Sequence, residues 1–123
     1  MDRAEAICAF WAGFGLPAYD EQFVPPKARM PYITYETATG GAGAAVRLTA
    51  SLWYKGFSWE EAEQKREEIA RAVSGRGYAI LPVEGGYVWI RADAPFSRRM
   101  GDPRDPMIKR IAVNVRAEFL TAF

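Results

Sequence analysis

The chain has 123 residues, 50% of them hydrophobic and 25% charged, which fits one globular domain with a sizeable core and leaves no room for two. Sixteen Lys plus Arg against fifteen Asp plus Glu leave a formal charge of +1, excluding the basic excess that drives non-specific nucleic-acid binding. With no histidine and one cysteine, the commonest general base and zinc ligand are missing and an internal disulfide or Cys-based metal cage is excluded, so no catalytic, cofactor-binding or metal site is expected.

No apolar run approaches the ~20 residues of a membrane span, and the first residues, with Asp2 and Glu5, lack the basic-then-apolar layout of a signal peptide. A cytosolic, reduced protein with no membrane partner is expected. Asp2 with Glu5 resembles a capping box, and Ala4, Ile7, Cys8, Trp11 and Phe14 recur at helical spacing, predicting a first helix over about residues 3–13 that loosens at Gly13 and Gly15. Pro17, Pro25, Pro26 and Pro31 then remove backbone donors and predict an extended crossing segment.

Residues 32–36, YITYE, are β-branched and aromatic and read as a strand. A glycine-rich loop over 39–45 lacks the Lys-Ser/Thr of a phosphate loop and leads into a strand, so it reads as a mobile hairpin tip. From 46 to 55, Val46, Leu48, Ala50, Leu52 and Tyr54 alternate with Arg47, Thr49, Ser51, Trp53 and Lys55, the pattern of a sheet with one packed and one open face.

Ser58 with Glu61 predicts a capped helix starting at Trp59, burying Trp59, Ala62, the Arg66 stem, Ile69, Ala70 and Val73, with Glu61–Lys65 and Glu67–Arg71 pairs outside and a stop at Gly75. Its carboxylates, interleaved with Lys and Arg, read as a solvated face and not as a general acid and base. Cys8, on an apolar stripe with no histidine to activate it, reads as a structural thiol. Residues 78–83 and 87–92 flank Glu84-Gly85-Gly86 and predict a hairpin; residues 107–118 alternate Ile111, Val113, Val115 and Ala117 against Arg110, Ala112, Asn114 and Arg116. The expected fold is α+β, a mainly antiparallel sheet of about five strands with two helices packed on one face.

Tyr32, Trp53, Arg47, Arg110 and Arg116 fall on the face turned away from the aliphatic positions. Aromatics among arginines on an open sheet suit a single-strand nucleic-acid platform or a protein interface, and the missing aromatic RNA-binding signature and near-neutral charge favour the interface. Residues 94–106 carry Phe96, Arg98, Arg99 and Met100 between prolines and read either as a solvated connection or as a docking arm.

In order, the strand PYITYE, the run SLWYKGFSWEEAEQKREEIARAV, and the run GGYVWIRADAPFSRRMGDPRDPMIKRIAVNVRAEFL resemble the small minor structural proteins of tailed bacteriophages, most nearly the tail terminator (tail completion) group, over residues 30–120. The resemblance implies a non-enzymatic virion protein, assembled in the host cytoplasm, that caps the tail tube as a ring, commonly a hexamer, and meets the head-tail connector. It implies no specific nucleic-acid partner and no cofactor. A head-completion or head-tail joining protein is the alternative within phage structure, and a single-strand nucleic-acid-binding sheet module the alternative outside it. A ring needs two unlike patches per subunit. The expected assignment is the open sheet face (Arg47, Trp53, Arg110, Arg116) for one and the loop with Phe96, Arg98 and Arg99 for the other, with the 39–45 loop toward the lumen or tube.

Overall fold

The computed structural model describes residues 1–37, 45–74 and 78–121. Two helices and six strands follow one another as α1 (Arg3–Ala12), β1 (Ala18–Asp20), β2 (Tyr32–Tyr35), β3 (Ala45–Lys55), α2 (Glu60–Val73), β4 (Ala79–Val83), β5 (Gly86–Gly101) and β6 (Ile108–Thr121). They form one sheet in the order β1-β2-β3-β6-β5-β4, antiparallel at each junction except the parallel β1–β2 pair. This is the expected α+β class, with one strand more than the sequence suggested. The addition is β1, a three-residue edge strand inside the proline-rich segment. Pro17 and Pro31 flank the pairing of Ala18 with Ile33 and do not interrupt it, so the missing amide donors fall outside the ladder.

The two faces of the sheet separate as the alternation requires. Leu48, Ala50 and Leu52 of β3, Ile111, Val113, Val115, Ala117 and Phe119 of β6, and Val88 and Ile90 of β5 are buried in one cluster. Both helices lie over that face: α1 contributes Ile7, Phe10 and Trp11, and α2 contributes Ala62, Ile69 and Val73. Burying such side chains is worth roughly 1.5–3 kcal/mol each relative to exposure, so this layer is what holds the domain together.

Local chemistry explains the helix ends. Asp2 Oδ1 accepts the Glu5 amide at 2.8 Å, which starts α1, and Gly15 beyond its end adopts φ 82°, a left-handed conformation suited to glycine. At α2 the expected Ser58–Glu61 capping box does not form: the Ser58 hydroxyl accepts the amide of Glu60 at 3.0 Å, two residues on, and Trp59 takes the cap position without a side-chain hydrogen bond, so the helix begins at Glu60, one residue later than expected. Replacing Ser58 by Ala should cost about 1 kcal/mol by orphaning that amide, read as a lower urea midpoint at unchanged slope.

The predicted Glu61–Lys65 and Glu67–Arg71 pairs do not form. Lys65 Nζ instead reaches the Phe14 carbonyl at 2.6 Å and Glu68 at 2.9 Å, while Arg66 bridges Glu63 and Glu67. The Phe14 carbonyl, just past the end of α1, accepts from the ammonium group and ties the helices together. Gly75, the expected stop, and most of the 39–45 loop lie outside the described residues. The hairpin falls where expected: Val83 pairs with Gly86 around a tight turn in which Gly85 has φ 80°.

Residues 94–106 are not one loop. β5 continues to Gly101 and pairs with β6 from Ser97↔Val113 to Gly101↔Lys109. Between Ala92↔Val115 and Ser97↔Val113 the register shifts, because β5 advances five residues while β6 advances two. The surplus bulges out over the sheet.

Candidate functional site: the open face of the sheet

The face opposite the helices carries side chains from β2, β3, β5 and β6 in rows set by the register. One row runs Met100, Arg110, Trp53, Tyr32, and the next runs Arg98, Ala112, Ser51, Thr34. Trp53 donates its indole N–H to the Thr34 hydroxyl at 2.9 Å, Arg110 donates Nε–H to Ser51 at 3.0 Å, and the Arg110 guanidinium lies 4.7 Å above the Trp53 ring. Tyr32 stands beside Trp53, ring centroids 6.3 Å apart.

A third row brings Arg91, Arg116 and Arg47 side by side on β5, β6 and β3. Like charges directly opposite one another destabilise a sheet. The bulge answers this: Asp93 Oδ2 accepts from Arg47 Nε at 2.7 Å and lies 3.6 Å from Arg116, while Arg47 also donates to the Ala94 carbonyl at 2.8 Å. Asn114, oriented by Thr49, donates to the Pro95 carbonyl at 2.8 Å. The bulge is thereby strapped across the open face, and the hydrogen bond from Arg47 holds the Asp93 carboxyl below its ordinary range, with Arg116 adding to the effect.

Because its folded-state pKa is lowered, the Asp93 contribution is present above the ordinary carboxylate range and lost as pH falls through the lowered value. An Asp93→Asn variant should therefore melt below the parent at pH 7, and the gap should narrow as pH falls below the ordinary carboxylate range, checked by thermal melts over acidic pH.

Below the bulge the face sinks into a depression of about 390 Å³ lined by Arg47, Thr49, Pro95, Arg98, Met100, Arg110, Ala112 and Asn114. At the other end of the face lies an apolar strip. Tyr78, Ile80 and Tyr87 are each about half exposed, and Leu120 nearly so. Trp89 sits among them, with Tyr78 5.9 Å from its ring and the Arg91 guanidinium 4.3 Å above it. Sequence reasoning missed this strip. Its signal was that β4 is apolar on both faces, with Tyr78, Ile80 and Pro82 alternating with Ala79, Leu81 and Val83, which pack against the core.

Of the seven expected interface residues, Arg47, Trp53, Arg98, Arg110 and Arg116 share the open face. Arg99 and Phe96 do not join them as a second patch. Arg99 turns to the helix side, where it pairs with Glu63 at 3.0 Å and lies 4.8 Å over the Trp59 ring. Phe96 packs partly buried against the core. The expected second patch is thus dispersed by the bulge.

On the helix side, a further depression of about 420 Å³ is lined by Pro31, Tyr54, Glu61, Gln64, Lys65 and Glu68, with Lys65 committed to Phe14 and Glu68. Partial burial would raise the Glu63 pKa, but hydrogen bonds from Arg66 and Arg99 outweigh it and hold the carboxyl below its ordinary range. Cys8 packs partly buried beside Tyr35, whose hydroxyl pKa is raised by burial and then by the thiol. Among the described residues no group of three His, Cys, Asp or Glu side chains is placed to hold a metal ion, and no helix is long and apolar enough to cross a membrane.

Set against known proteins, the chain matches no family model, no curated protein and no solved structure.

Proposed function

We propose that this protein is a non-enzymatic structural component of a tailed bacteriophage, a tail terminator that forms a ring, caps the tail tube and joins it to the head connector. The observation that carries the reading is the uncovered sheet face. Val46, Leu48 and Leu52 of β3 and Ile111, Val113, Val115 and Phe119 of β6 serve the helix side, while the other side presents arginines, two tryptophans, tyrosines and a half-exposed apolar strip. Arg, Trp and Tyr are the anchors of protein interfaces, and contiguous exposed apolar surface marks a place where another macromolecule sits. The sequence resemblance supplies the phage context.

The nucleic-acid alternative is disfavoured by how the aromatics are engaged. The Trp53 ring is covered by Arg110 and the Trp89 ring by Arg91, so two platforms on which bases would stack are occupied. Tryptophan fluorescence is expected to stay unchanged on adding a short oligonucleotide at low salt.

The deciding experiment is light scattering over a range of concentrations, with and without purified tail tubes of the encoding phage, together with pull-downs against tubes and against connectors. A closed oligomer, alone or on the tube end, is expected. A chain that stays monomeric in the presence of tubes and binds nothing there overturns the reading, and capture by connectors alone reassigns it to head completion.

A further inference from the structure

The ring reading requires a second, unlike patch, and the start of α2 has the chemistry to complement the open face. Phe57 is 92% exposed, more than any other large apolar side chain among the described residues. It follows Gly56, whose amide donates to the Met107 carbonyl at 2.8 Å and fixes the turn between β3 and α2. Glu60 and Glu61 open α2 three and four residues later, around the same shallow depression as Phe57; both are exposed, and neither has an ion-pair partner among the described residues. The later carboxylates of the helix are neutralised at home, Glu63 by Arg66 and Arg99, Glu67 by Arg66 and Glu68 by Lys65. An apolar knob therefore stands beside two uncompensated negative charges.

The depression on the open face has the reverse character. Arg98 and Arg110 border it, and among the described residues neither is paired with a carboxylate. Met100, Pro95 and Ala112 supply apolar lining between them. Arg47, the third guanidinium, is already held by Asp93.

We infer that the Phe57, Glu60 and Glu61 knob of one copy seats in the Arg98, Met100 and Arg110 depression of the next. The phenyl ring meets the Met100 thioether and Pro95, a favourable sulfur–aromatic and apolar contact, while the two carboxylates meet the guanidinium groups of Arg98 and Arg110, whose planar donors suit carboxylate oxygens and which have no carboxylate partner among the described residues. Knob and depression are different parts of the surface, so the contact is head-to-tail. Repeated by rotation it closes a ring or runs on as a filament. The inference rests on the ring reading and adds the contact that builds it.

Charge reversal and cross-linking test it. Glu60→Arg with Glu61→Arg, and separately Arg98→Glu with Arg110→Glu, should each weaken assembly at least about a hundredfold, because each places like charges together. The chain carrying all four changes should recover assembly. In a Cys8→Ser background, a mixture of the Phe57→Cys and Met100→Cys chains should form disulfide-linked dimers at least about tenfold faster than either chain alone, a readout that also covers weak association. If the parent assembles and both reversals assemble equally well, or if the mixture cross-links no faster than its components, the contact is wrong and the ring reading stands. A parent that stays monomeric on tail tubes while the mixed chains still cross-link overturns the ring reading and leaves the contact.

Discussion

Replacing Trp11 by Ala is expected to lower the stability of the domain by about 3–5 kcal/mol, the range for removing a large aromatic side chain from a packed interior. Trp11 is 1% exposed at the end of α1, meets Phe10 edge-on with ring centroids 4.8 Å apart, and has Phe14 at 6.2 Å. It belongs to the cluster shared by α1, α2 and the sheet, so its removal leaves a cavity bounded by elements that cannot all collapse inward. For a domain of this size the loss corresponds to a fall in Tm of roughly 10–25 °C, measurable by circular dichroism. A change under about 1 kcal/mol would mean that α1 does not seat on the core as described.

The second large effect comes from a pair of adjacent residues with opposite fates. Val113 is fully buried on β6 between Ala50 of β3 and Ser97 of β5, whereas Ala112 faces the depression between Ser51 and Arg98. Val113→Asp puts an unpaired carboxyl into the aliphatic layer and should cost about 4 kcal/mol or more, enough to unfold much of the population of a domain whose total stability is about 5–15 kcal/mol. Ala112→Asp should leave the fold nearly as stable as the parent, since its carboxylate lies beside the Arg98 and Arg110 guanidinium groups, neither of which has a carboxylate partner among the described residues. It should nevertheless weaken assembly, because it occupies the depression with the charge a neighbour would bring. Urea titration reads the first effect and light scattering the second. Equal destabilisation by the two changes would refute the division of the sheet into a packed and an open face.

The structure also changes what a second assembly patch can be. The sequence places Phe96, Arg98 and Arg99 in one loop, yet the bulge after Ala92 sends them to three environments: the core margin, the open face and the helix side. The segment 93–96 acts as a clip that offsets the repulsion of three aligned arginines, with Asp93 only 13% exposed at its centre. In the proposed ring, the second patch is then the start of α2, where Phe57 is exposed and Glu60 and Glu61 have no ion-pair partner among the described residues.

Much of this molecule was legible in the sequence because the relevant physics is local. A pleated strand alternates its side chains with period two, so the residues of β3 and β6 sorted themselves between core and open face before any partner strand was known. Asp2 and Gly85 act on amides or dihedrals within a few positions of themselves, and the cap and the turn they make followed directly; Ser58 also bonds a nearby amide, that of Glu60, but not in the capping box with Glu61 that its spacing predicts. What only the tertiary structure decided depends on contacts between segments far apart: the order β1-β2-β3-β6-β5-β4, the row of Arg91, Arg116 and Arg47, and the strap laid across it. The facing of Arg98 and Arg99 is the sharpest case. Counted by twos from Arg91, Arg99 belongs on the open face; five residues of β5 matched against two of β6 invert that count, so Arg98 takes the place and Arg99 turns to Glu63. Such an inversion is set by where two strands resume hydrogen bonding, and that is a property of the pair and not of either strand.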